Sequence, residues 1–95
     1  MNAHPHPNPF DLSGLDLWII GGAGHLGQPT VALLTALGAR VLCADLGDRA
    51  HAAAKLLPHP EAVTPATLDA CDPEAIHAFV RERVSTRGIP QGLAI

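Results

Sequence analysis

The sequence contains no tyrosine, one tryptophan, two phenylalanines and one methionine in 95 residues. Large side chains for a core are scarce, and no phenol is present to donate a proton. Cysteine is also scarce. Cys43 and Cys71 are the only two and form no CxxC pair, which excludes a disulfide scaffold and fits a reduced, cytoplasmic setting. A basic excess is missing too: six Lys and Arg face nine Asp and Glu, for a net charge of −3. Nucleic acid and membrane surfaces, which attract basic chains, are therefore not expected partners. No apolar run approaches the roughly 20 residues that span a bilayer. Met1 to Pro9 lacks the cationic and apolar plan of an export signal.

What is present is an ordinary globular balance, 47% apolar and 16% charged, which excludes a disordered polymer for the body of the chain. A unit this short buries only about 60–65% of its unfolded surface, so marginal stability is expected unless something else helps. Residues 1–9 alternate proline with His and Asn and read as a disordered, solvated arm. Within it, His4 and His6 lack a third ligand at fixed spacing. His25, His51, His59 and His77 fall on separate elements, and no metal site is predicted.

Residues 10–95 read as alternating strands and helices. Leu17 to Ile20 is a short continuous apolar run, as in a strand buried on both faces. Leu26, Thr30, Leu33, Leu34 and Leu37 then recur at helical spacing, predicting a buried stripe on a helix that starts near His25 and ends at Gly38. Pro29 is tolerable there because first-turn N–H groups have no acceptor within the helix. Arg40 to Asp45 predicts a second buried strand, and Asp48 a cap for a helix over Arg49 to Leu57. Pro58 and Pro60 stop that helix. Ala62 to Asp69 predicts a third strand, placed at a sheet edge because Pro65 cannot donate a ladder bond. Asp72-Pro73-Glu74 opens a third helix with a buried stripe of Ile76, Phe79, Val80 and Val84. Leu93 begins a fourth strand. Such alternation predicts an α/β, doubly wound parallel sheet in the order 3-2-1-(4).

The chemistry is concentrated in Ile20 to Gly27, IGGAGHLG. Gly21, Gly24 and Gly27 lie between the first strand and first helix, where a Rossmann-like nucleotide fold needs glycine for three reasons. The chain turns sharply, the backbone approaches a diphosphate, and the helix packs closely on the sheet. The N–H groups of residues 25 to 27 (His25, Leu26 and Gly27) are then available to phosphate. Asp45, at the end of the second strand, is placed to accept hydrogen bonds from the adenosine ribose, with Leu46 beside it. A carboxylate there repels a 2′-phosphate, so the expected cofactor and partner is NAD, with NADP disfavoured. Arg40 and Arg49 weaken that preference without reversing it.

These segments resemble the short-chain dehydrogenase/reductase family from Phe10 to Ile95. FDLSGLDLWIIGGAGHLG is similar to the family's opening, GARVLCADL to its second strand with the ribose-binding acid, and LDACD to its D-V-T-D segment. The resemblance implies that Asp69 contacts the adenine amino group and that the Ala70 N–H contacts a ring nitrogen. Ile20 stands where the family usually has threonine. The glycine spacing is that of the extended branch, as in sugar-nucleotide epimerases, while the opening and LDACD resemble the single-domain branch.

The resemblance also implies about 250 residues in a whole member, with a catalytic serine, tyrosine and lysine beyond the region covered here. No catalytic residue is therefore assigned, and no catalysis is expected from this chain alone. It reads as a truncated product, a fragment or half of a split protein. The first strand is expected to have one edge mostly unpaired, inviting self-association or cover by a missing C-terminal segment. The rival expectation is a non-catalytic nucleotide-binding half-domain completed by a partner.

Overall fold

The computed structural model describes residues 10–95, so the predicted arm over residues 1–9, with His4 and His6, lies outside the described residues. The order of elements is β1 (Asp16–Ile20), α1 (Gly27–Ala36), β2 (Arg40–Asp45), α2 (Arg49–Leu56), a 3₁₀ turn (Pro60–Ala62), β3 (Val63–Thr67), α3 (Pro73–Arg87) and β4 (Gly92–Ala94). All pairings are parallel, and the strands lie in the order β3-β2-β1-β4. The predicted doubly wound α/β sheet is present.

Side chains alternate across the central strands, as the period of two requires. Val41 and Cys43 of β2 join Ile19 in one cluster with Val31 of α1 and Ala50 and Ala54 of α2. Leu42 and Ala44 join Trp18 in a second cluster with Phe79 of α3. Helices α1 and α2 therefore cover one face and α3 the other. That is why the apolar runs of β1 and β2 are continuous rather than alternating: both faces exclude water. The Trp18 and Phe79 rings meet edge to face, 6.1 Å between centroids. Their contact supplies much of what a core poor in aromatics can gain.

Several local expectations hold. Pro65 lies in β3 at the sheet edge, where a missing N–H costs least. Asp72 accepts hydrogen bonds from the N–H groups of Glu74 and Ala75, with Pro73 opening α3. Gly38 closes α1 with φ +104°, a region that L side chains rarely adopt, and donates its N–H to the Thr35 carbonyl.

Others are corrected. Helix α1 starts at Gly27, not near His25, and its buried residues are Val31 and Thr35. The leucine stripe predicted for the core is largely outward: Leu26 is 88% exposed and Leu33 59%. The fully buried side of α1 is formed instead by Val31 and Thr35, with Leu34 partly buried against the same cluster as Val31. Asp48 occupies the cap position of α2 but its side chain makes no capping bond. On α3 only Phe79 is fully buried, and Val80 is exposed. The β1 edge is also better covered than expected, since Leu17, Trp18 and Ile19 pair with Gly92, Leu93 and Ala94. The edge strands are β3 and β4. No helix among the described residues is long and apolar enough to cross a membrane.

Candidate functional site

In a parallel sheet the C-terminal ends of the strands lie together, and here they carry the glycine loop after β1, Asp45 after β2, and Asp69 and Ala70 after β3. The loop leaves β1 through Gly21, whose φ of +83° turns the chain, and its N–H donates to the Ala44 carbonyl at 2.7 Å. Gly27 is required by space rather than by φ. A Cβ there would lie 2.6 Å from backbone carbons of Gly22, and backbone cannot yield as a side chain can. At Gly24 a Cβ would meet only the Gly21 oxygen, at 3.7 Å, so its outer side is open to a ligand. The three reasons for glycine thus fall on three different residues.

Asp45 is joined to this loop directly. Its Oδ2 accepts the Ala23 N–H at 3.1 Å, and its Oδ1 accepts the Leu46 N–H at 2.7 Å. The carboxylate is largely inside, with the residue 9% exposed. Two backbone donors satisfy its charge, which is what a buried carboxylate needs. Each oxygen retains a further lone pair for a ligand hydroxyl.

Three residues that hold the loop were not singled out from the sequence. Gln28 reaches back from the first turn of α1, and its Nε2 donates to the Ala23 carbonyl at 2.7 Å. The Ala23 residue is therefore held on both sides, its N–H by Asp45 and its C=O by Gln28. Gly22 is buried against Cys43, where a Cβ would come within 2.7 Å of the thiol sulfur. The available signals were the Gly21-Gly22 doublet and an amide side chain in a helix's first turn, a position that often bonds backward.

The N–H groups of His25, Leu26 and Gly27 donate to nothing within the described chain, although Gln28 N–H already bonds the Gly24 carbonyl. Beside them runs a cleft of about 460 Å³ between the loop and α2, lined by Gly24, His25, Gln28 and Arg49 among others. Open glycine, unpaired N–H groups at a helix start and an adjoining cleft fit the diphosphate and adenosine of a dinucleotide.

The β3 exit joins the same end of the sheet, because Leu68 N–H donates to the Asp45 carbonyl and Thr67 Oγ1 to the Gly47 carbonyl. Asp69 is exposed, and its Oδ1 accepts the Cys71 N–H at 2.9 Å in a local turn. Ala70 lines a separate, apolar hollow of about 60 Å³ with Trp18, Phe79 and Leu93, on the α3 side. Glycine loop, Asp45 and Leu46 are thus brought into one linked unit, while Asp69 and Ala70 stand on its α3 flank.

No family model matches this sequence, and no curated protein matches it. Solved structures do. The NADP-containing N-domain of a bacterial malonyl-CoA reductase is 31% identical, with a TM-score of 0.79, over 90% of this chain and 17% of that one. A short-chain dehydrogenase/reductase from Brucella melitensis, of the glucose/ribitol dehydrogenase type, is 25% identical with a TM-score of 0.76. It is covered over 36% of its length by 88% of this chain. An NADPH-bound short-chain oxidoreductase from Pseudomonas aeruginosa PAO1, with an atypical catalytic centre, is 30% identical with a TM-score of 0.77 over 90% of this chain and 35% of that one. The chain therefore spans about a third or less of these proteins.

Proposed function

We propose that this chain, which is similar to solved short-chain dehydrogenase/reductases, is the part of an oxidoreductase that binds a nicotinamide dinucleotide. The whole protein would pass hydride between the nicotinamide and an alcohol or ketone. The single observation that carries this reading is the hydrogen bond from Ala23 N–H to Asp45. It ties the acid after β2 to the glycine loop after β1, the two features a dinucleotide spans.

In this reading the chain's own residues bind and orient, and do no more. Gly21 and Gly27 shape the loop, and Gly24 lets the diphosphate approach the backbone. The N–H groups of His25, Leu26 and Gly27 take its oxygens. Asp45 and Leu46 lie against the adenosine ribose, and Asp69 with the Ala70 N–H reads adenine from the β3 side. The bound cofactor supplies the hydride chemistry, and the chain contains no tyrosine to pair with it as proton donor. The expected preference for NAD is not supported, since two of the similar solved structures hold NADP or NADPH. The reading takes the cofactor as NAD or NADP. Its cytoplasmic setting rests on two free cysteines, one of them exposed.

Calorimetric titration of the 95-residue chain with 5′-ADP tests the reading. Gly24→Val should fold normally, since space is open there, yet lose binding by tenfold or more because the side chain occupies the diphosphate's path. Unchanged affinity in that variant would overturn the proposal.

A further inference from the structure

Helix α1 carries apolar side chains on its outer side as well as its inner one. From Leu26 to Ala39 the chain has no Asp, Glu, Lys or Arg, in a protein that is 16% charged. Val31 and Thr35 take the side against the sheet, which leaves Leu26, Pro29, Thr30, Leu33 and Ala36 exposed. A helix without a charged face belongs in a covered position rather than at a bare surface. The one hydroxyl of this outer stripe is already satisfied, since Thr30 Oγ1 donates to the Leu26 carbonyl at 2.9 Å. It can lose its water without leaving a donor unpaired. Pro29 also lines a groove of about 320 Å³ between α1 and α2, with Gln28, Ala32 and Leu57 among others.

We propose that this face docks a second copy of the chain, with the two α1 helices antiparallel across a twofold axis. Pairing there needs no bound nucleotide. A twofold axis sets a patch against itself, so a patch of one charge repels its copy and a neutral patch does not. Charges interrupt the outward sides of the other helices, at Arg49 and Lys55 on α2 and at Glu74, Arg81 and Glu82 on α3. The direction of pairing follows from the helix ends. α1 has no acid in its first turn and no base in its last, so its dipole is uncompensated, and an antiparallel copy sets each end beside the opposite end. The register follows from the spacing. Leu26, Thr30, Leu33 and Leu37 are separated by four, three and four positions, the spacing of a coiled-coil seam. Turned end for end, that series is unchanged, so Leu26 meets Leu37 of the second copy and Thr30 meets Leu33. A helix of ten residues is only roughly 15 Å long. Its outer face falls short of the ~800 Å² per partner that stable complexes bury, so the dimer is weak and concentration-dependent.

Sedimentation equilibrium of the 95-residue chain tests the pairing. A monomer–dimer equilibrium is expected, half dimerised at between about 10 μM and about 1 mM. Raising the salt should not weaken it, since neutral faces have no attraction to screen. Leu33→Glu should weaken the dimer at least tenfold, while circular dichroism and Trp18 fluorescence of the monomer stay unchanged because the side chain is exposed. If that variant disturbs the monomer, Leu33→Gln takes its place with the same direction expected. Ile95→Lys, which puts a charge beside the β4 edge, should leave the association within twofold. In a mixture of isotope-labelled and unlabelled chains, intermolecular NOEs should join the methyl groups of Leu26 and Leu37. A chain still monomeric at about 1 mM would overturn the inference. So would an association that salt dissolves, or one that Leu33→Glu spares and Ile95→Lys abolishes, which would place the contact at β4. Intermolecular NOEs from Leu26 to Leu26 would overturn the antiparallel arrangement.

Discussion

Arg87 and Asp16, 71 positions apart, form a two-point ion pair at the end of the sheet opposite the glycine loop. The Arg87 guanidinium also donates to Thr64 Oγ1 at 2.8 Å, so the last turn of α3 is fastened to both β1 and β3. Gln91 completes the junction. Its Oε1 accepts the Asp16 N–H, and its own N–H donates to the Asp16 carbonyl. The pair is well shielded, with side-chain exposures of 17% and 6%.

Arg87→Ala should therefore be severely destabilising, because it leaves the Asp16 carboxylate buried without its partner. The expected loss is about 3–5 kcal/mol, comparable with the whole stability of a small domain. Urea unfolding monitored by Trp18 fluorescence measures it. Arg87→Met combined with Asp16→Leu should cost less than Arg87→Ala alone, since no unpaired charge remains. A loss below about 1 kcal/mol in Arg87→Ala would show that the pair contributes little.

Gly22 and Cys43 should behave as a coupled pair. Gly22→Ala places a methyl against the Cys43 sulfur and is expected to cost about 1–3 kcal/mol through overpacking. Cys43→Ala alone should cost something as well, by leaving a small void. Together the two changes should cost clearly less than their sum, because each relieves the defect of the other. Thermal unfolding of the four proteins in the cycle gives the coupling directly.

The two thiols should differ sharply in reactivity. Cys71 is exposed, whereas Cys43 of β2 is buried with its sulfur against Gly22. Burial, reinforced by the Asp45 charge, pushes the Cys43 thiol above its ordinary value. Titration with an aromatic disulfide reagent should show one fast thiol in the native chain and two in urea. The sign of the pH effect follows from a raised folded value: the neutral thiol is favoured by folding. Its contribution is fully present below the unfolded thiol's value of 9.0 and is lost as pH rises through the higher folded value. Alkaline unfolding should thus begin at higher pH in Cys43→Ala.

Gln28→Ala should loosen the loop without unfolding the domain. It removes the hydrogen bond to the Ala23 carbonyl, worth about 1 kcal/mol or less at a partly exposed site. The expected signature is faster amide exchange at Ala23 and weaker 5′-ADP binding by a few-fold, with a nearly unchanged unfolding midpoint. An unaltered exchange rate would mean that Asp45 alone holds the loop.

The amino-acid order by itself determined the alternation of strands and helices, the parallel sheet, Pro65 at an edge and the Asp72 cap. These follow from short-range rules: apolar runs, proline's missing donor, a capping carboxylate. It also determined that glycines and an acid fall where a dinucleotide fold uses them. Only the tertiary structure decided which face of α1 is buried, since the Leu26 and Leu33 stripe and the Val31 and Thr35 stripe are both helical in period. It likewise decided what Asp45 does. A carboxylate's charge can be read from a sequence, but its hydrogen-bond partners cannot. Leu46 is next to Asp45 in the chain, but Ala23, on another strand's loop, reached it only when β1 and β2 paired.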